Sequence, residues 1–245
     1  MQGLKRTAFS GPALVRLLAH FADLDVQEPA QSLSDRLSQW LGWTDAIALS
    51  TALASDPPAV TGARSTAGDE EEASARIRAR LVSAITHDEN SRKGMHGRHR
   101  AAVQTPPDDT QIDYAIFRQH YLSLQQTMES DIGELRGRLR AAVASRSADM
   151  TRLAVVDAVM EQTFAARERT LMAQVPVMLG QHFERLKRAH AQRVEEAAQA
   201  CGAAAPPASG VWLAAFRKDM QNVLLAELEV RFQPVEGLLA ALRTQ

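Results

Sequence analysis

DYAIFRQHYLSLQQTMESDIGELRGRLRAAV, residues 113–143, is the stretch whose reading decides the fold. Tyr114, Phe117, Tyr121, Leu124, Met128, Ile132, Leu135, Leu139 and Val143 recur in it at steps of three and four. At 100° per residue those side chains form one stripe of a helix, and Arg, Gln, Glu and Ser fill the other faces. A second helical stretch, from 148 to about 198, follows after a short break. Ser147 stands where an N-cap belongs, and Leu153, Val156, Val159, Met160, Phe164, Leu171, Met172 and Val175 carry an apolar stripe onward. The spacing therefore predicts a long antiparallel helical hairpin with coiled-coil character over residues 111–200, kinked or broken at Pro176. Beyond the kink, Val177, Met178, Phe183, Leu186 and His190 resume the stripe.

Working outward, the first 55 residues read as a three-helix unit. Pro12 opens a helix carrying Leu14, Leu17, Leu18 and Phe21, with Ser10 as its cap. Leu33, Leu37, Trp40 and Leu41 define a second, stopped by Gly42, and Thr44 caps a third with Ala46, Ile47, Leu49 and Leu53. Trp40 and Trp43 are expected at the centre of this unit. Residues 56–110 read as a linker containing one helix, at about 69–87, and a basic loop at 90–100. Residues 201–245 read as a second linker followed by two helices. Ser209 caps the first of these, with Trp212 and Phe216 on its apolar face, and Pro234 starts the second. The expected class is all-α and elongated.

Composition narrows the function. The 28 basic and 29 acidic side chains nearly cancel, which argues against a surface built throughout for nucleic acid or anionic lipid. The lone cysteine, Cys201, permits no disulfide within the chain and fits a reducing compartment. No leader is read at the start, because Arg16, His20 and Asp23 interrupt the only early apolar run, and no run is long enough to span a membrane. The expected location is the cytoplasm, peripheral to the inner membrane through a partner.

Enzyme signatures are absent: the chain carries no phosphate-binding glycine loop, nucleophile elbow or zinc-ligand pattern. No cofactor or metal is expected. His87, His96 and His99 sit among residues that fix no ligand geometry. The helix beyond Gly42 has one acidic residue and no basic one, so it is unsuited to lie on DNA. Arg92, Lys93, Arg98 and Arg100 are the candidate contacts for phosphate or another anion, and they carry the rival reading of a nucleic-acid-associated protein. Trp40, Trp43, Trp212 and Phe216 are the candidate docking residues for a protein partner or for a second copy of the chain.

Three strings carry a resemblance: SGPALVRLLA at 10–19, SLSDRLSQWLGWTDAIALSTAL at 32–53 and FQPVEGLLAALR at 232–243. They resemble an uncharacterised family of bacterial proteins with a domain of unknown function. The resemblance covers both ends of the chain, while the middle matches in helical character alone. It implies an accessory role in an envelope complex, beside membrane proteins similar to proton-channel subunits and OmpA-like proteins. It supplies no catalytic residues. The function expected is that of a non-enzymatic helical adaptor, assembling or regulating a larger complex.

Overall fold

A computed structural model describes residues 12–22, 32–54, 66–98, 112–199 and 210–244. Among these the regular structure is entirely helical: α1 (Ala13–Ala22), α2 (Leu33–Trp40), α3 (Trp43–Ala54), α4 (Ala67–Arg98), α5 (Tyr114–Ala144), α6 (Ala148–Met172), α7 (Gln174–Gln199) and α8 (Val211–Arg243). Side chains of 88–98 lie outside the described ones.

Local chemistry sets the boundaries. Asp113, in extended backbone, accepts the Ala115 amide at 3.0 Å and opens α5. The sequence places this cap earlier, at Asp109 or Thr110, which lie outside the described residues; the helix instead begins at Tyr114, after Asp113. Ser147 caps α6 as its spacing predicts, taking the Met150 amide at 3.3 Å. Thr151 then reaches back across the 145–147 turn to the Ala144 carbonyl at 2.8 Å, tying the start of α6 to the end of α5. The opening of α3 differs from expectation. Gly42 precedes it, donating to the Asp45 carboxylate at 3.1 Å, and Thr44 lies inside the helix. Thr66 caps α4 through reciprocal bonds with Asp69. The exchange holds the Asp69 carboxyl below its usual range.

Three further boundaries depart from the sequence reading. α4 continues to Arg98, past the expected end near His87, so the backbone of 90–98 is helical and not a loop. The break expected at Pro176 falls at Ala173, placing the proline in the first turn of α7, where a missing N–H has no intrahelical partner to lose. Pro234 starts no helix. It sits inside α8, which begins after Gly210, at a φ of 95°, and not from a Ser209 cap. An interior proline costs about 3 kcal/mol. Phe232, Val235, Leu238, Leu239 and Leu242 are all buried around it, at about 1.5–3 kcal/mol each, and that packing keeps the helix whole.

Packing follows the stripe on α5. Phe117, Tyr121, Leu124, Met128, Ile132, Leu135, Leu139 and Val143 are buried, with Tyr114 half-buried at the end of the row. Their principal partner is α8, whose buried row runs from Trp212 through Leu242. α6 returns beside α5 and is held there by charge. Arg136 grips Asp157 at 2.7 and 2.9 Å, and Arg140 bridges Asp157, at 3.1 Å, and Glu161. The apolar stripe expected of α6 is therefore not core. Leu153 and Leu171 are exposed, and in α6 only Thr151 and Ala154 are buried. Val177 of α7 is likewise exposed, whereas Val175, Leu179 and Phe183 are buried. α8 occupies the face of α5 that the hairpin reading assigned to α6.

α4 crosses α8 and α5 through ion pairs. Arg78 reaches Glu229 and Glu236, Arg243 meets Glu71, and Arg138 meets Glu70. The two carboxylates push the Arg78 guanidinium further above its ordinary range. The first three helices do not gather around the tryptophans. α1 lies on α7 and α8, and α3 lies on α6.

Candidate functional site

The residues singled out from sequence fall into three environments. Trp212 and Phe216 are core. Phe216 is sealed from solvent, edge-on to Phe183 at 5.0 Å and to Phe117 at 5.2 Å, and Trp212 stands edge-on to Phe183 at 5.2 Å. Phe21 of α1 completes the cluster, stacked on His182 at 4.3 Å, and His182 is hydrogen-bonded to Asp219 at 2.8 Å. As docking residues Trp212 and Phe216 are thus corrected: α5, α7 and α1 already cover them. Trp40 is half-buried, with the Arg167 guanidinium 4.4 Å from its ring centre. Of Arg92, Lys93, Arg98 and Arg100, the first three lie on the helical backbone of α4, their side chains outside the described ones, and Arg100 lies outside the described residues altogether.

Trp43 is the exception. Expected at the centre of an N-terminal unit, it is instead 82% exposed. Ile47, one helical turn on, is 50% exposed and Leu53 is 58% exposed. Ala46, Ser50 and Ala54 lie exposed among them. The opposite side of α3, with buried Ala52, rests on α6. Only Asp45 is charged in this helix, about 200° around the axis from Trp43, with its carboxylate turned to the Gly42 amide. The sequence carries a signal for this face, because WTDAIALSTALA is apolar on nearly every side. A helix of that kind asks for cover on both faces, and α6 supplies cover for one.

One polar cluster is internal. Tyr121 and Glu227 are both closed to solvent, and the tyrosine hydroxyl donates to the carboxylate at 2.6 Å. Gln125 adds donors at 3.0 Å and Arg231 another at 2.9 Å. Burial first, then the facing carboxylate, raises the Tyr121 hydroxyl well above its ordinary pKa. A hydroxyl and a carboxylate in contact resemble an acid–base pair, but a substrate has no path to a pair sealed on every side. Their effect is to fix the register of α5 against α8.

A cavity of about 550 Å³ opens nearby, where α2, α5, α6 and α8 meet. Met128, Ile132, Phe164 and Trp40 form its apolar side. Of its three arginines, Arg136 is neutralised by Asp157 and Arg231 by Glu227 and Glu168, while Arg169 stands exposed at its edge. No group of three metal-ligating side chains occurs among the described residues. No described helix is long and apolar enough to cross a membrane.

Fold and surface together define a helical protein that buries a tyrosine–carboxylate pair and whose most exposed large apolar side chain, among the described residues, is the indole of Trp43. Residues 1–244 match a family described as "Protein of unknown function (DUF3348)". The chain belongs to that family. Neither the curated proteins nor the solved structures contain a match.

Proposed function

We propose that this protein is an assembly protein, a non-enzymatic helical adaptor that meets its partners through the outer face of α3. One observation carries the reading: Trp43 is 82% exposed on a helix whose exposed face bears no charge. Large side chains left in water over such a face are what interaction surfaces display, and tryptophan is among the residues most enriched at their energetic centres. The sealed Tyr121–Glu227 pair, and the carboxylates already held by Arg136 and Arg231 in the cavity, support a scaffold in preference to a reacting site. The family resemblance supports an envelope complex with a proton channel as the setting, with the protein peripheral to the inner membrane on its cytoplasmic side. The long pair α5 and α6 would then serve as a spacer.

The test is a mild-detergent pull-down from the native cell, nuclease-treated, comparing the wild-type chain with Trp43→Ala. Envelope proteins recovered with the wild type and lost with the variant are the expected result. Identical recovery with both would remove α3 from the account. Recovery of nucleic-acid-binding proteins alone, lost on nuclease treatment, would transfer the function to Arg92, Lys93, Arg98 and Arg100.

A further inference from the structure

We infer that the occupant of the outer face of α3 is a second copy of this chain, the two α3 helices packing antiparallel about a two-fold axis. The inference rests on the reading of that face as an interaction surface and names what covers it. Charge is the first argument. Trp43, Ala46, Ile47, Ser50, Leu53 and Ala54 carry none, and Asp45 points the other way, to the helix's own first turn. A charged partner finds no counter-ion here, whereas a copy of the same face brings no like charge against itself.

Size is the second. Antiparallel pairing that sets Trp43 opposite Ala54 also sets Ile47 opposite Ser50, so each large side chain meets a small one. All four positions are exposed and free to be covered. A parallel pair would instead oppose Trp43 to Trp43 and Ser50 to Ser50, crowding one end and leaving a void farther on. Antiparallel pairing also brings the positive N-terminal end of one helix beside the negative C-terminal end of the other.

Area sets the strength. A helix of this length is on the order of 18 Å long, and its face supplies only part of the roughly 800 Å² per partner that a stable interface buries. The dimer is therefore weak and concentration-dependent. The partner met through this face is then a second copy, and the pair makes the adaptor bivalent toward a larger complex, so that losing it is expected to weaken attachment to that complex.

The experiment is sedimentation velocity of the full chain from roughly 10 μM to 1 mM, the range where a small interface associates. Four forms are compared: wild type, Ile47→Ser, Ser50→Ile, and the double variant, with circular dichroism confirming helicity in each. Ile47→Ser opposes two small residues and Ser50→Ile two large ones, so each is expected to weaken association about tenfold. The double variant exchanges the roles and is expected to return to within about threefold of wild type, a coupling that pairs only residues in contact. A wild-type chain that stays monomeric, or a dimer that all three variants leave unchanged, would overturn the inference. If the chain is monomeric and Trp43→Ala nevertheless loses its cellular partners, the interaction surface stands and only its occupant was misassigned. If Trp43→Ala loses none, the interaction reading itself fails.

Discussion

The hydroxyl of Tyr121 on α5 donates to Glu227 on α8 at 2.6 Å, with neither side chain exposed, in the middle of the principal helix contact of the fold. A carboxylate in that position is tolerable because Gln125 and Arg231 complete its shell. Tyr121→Phe keeps the ring and withdraws one donor from the buried charge. The expected loss is about 1.5–3 kcal/mol, read as a fall of roughly 3–12 °C in Tm. Glu227→Ala leaves Arg231 buried with only Glu168 and is expected to cost more, about 3–5 kcal/mol. Equal Tm values for wild type and Tyr121→Phe would show that the bond adds nothing to stability.

Alkaline pH should destabilise the protein through its two tyrosines. Burial pushes Tyr114 up to about 12, and Tyr121 is raised by burial and by Glu227. Both folded values lie above the unfolded value near 10, so the stabilisation is complete below pH 10. It is lost as pH climbs through 10 to 12, where the unfolded chain releases protons that the folded one retains. Denaturant midpoints measured across that window are expected to decline in the wild type and to decline less steeply in Tyr114→Phe. A parallel decline in both would remove Tyr114 from the account.

Gly180 lets α7 approach the start of α5. A Cβ there would stand 2.9 Å from Cε1 of Tyr114, whose hydroxyl is bonded to the Pro176 carbonyl and whose ring lies 5.7 Å from that of Phe183. The ring has little room to retreat. Gly180→Ala is expected to cost about 1–3 kcal/mol. Gly133→Ala, with no atom within 4 Å of the added carbon, is expected to gain about 0.5–1 kcal/mol from helix propensity. Urea midpoints of the two variants should move in opposite directions.

Pro234 deprives the Val230 carbonyl of its intrahelical donor inside an otherwise continuous α8. Pro234→Ala restores that bond and is expected to raise stability by about 1–2 kcal/mol, once the greater freedom of the unfolded alanine chain is subtracted. A lower Tm in this variant would mean that the pyrrolidine ring itself helps to seat Phe232 and Val235 in the core.

Period and caps made much of this fold legible. The three-and-four spacing from Tyr114 to Val143 located the buried stripe of α5 and its end, because one helix face carries most of its large apolar groups, while the cap expected at Asp109 or Thr110 fell at Asp113. Ser147 marked the start of α6 for the same local reason. Prolines misled where packing outweighed local cost, as in α8, and apolar patterns misled where two helices competed for one face, as α6 and α8 did for α5. Trp212 and Phe216 looked like docking residues because nothing local reveals that Phe183 and Phe117 come to meet them.

By itself, then, the sequence determined an all-helical chain, the register of its longest apolar stripe and the start of α6 at Ser147, since those depend on neighbours within a turn or two. The tertiary structure decided which helix α5 buries itself against, that Glu227 is completed by Tyr121, and that α3 turns its apolar outer face, with Trp43, to solvent. Those outcomes turn on residues that meet across a hundred positions or more, or on a face left over once every other helix has found its partner, and no local pattern contains either.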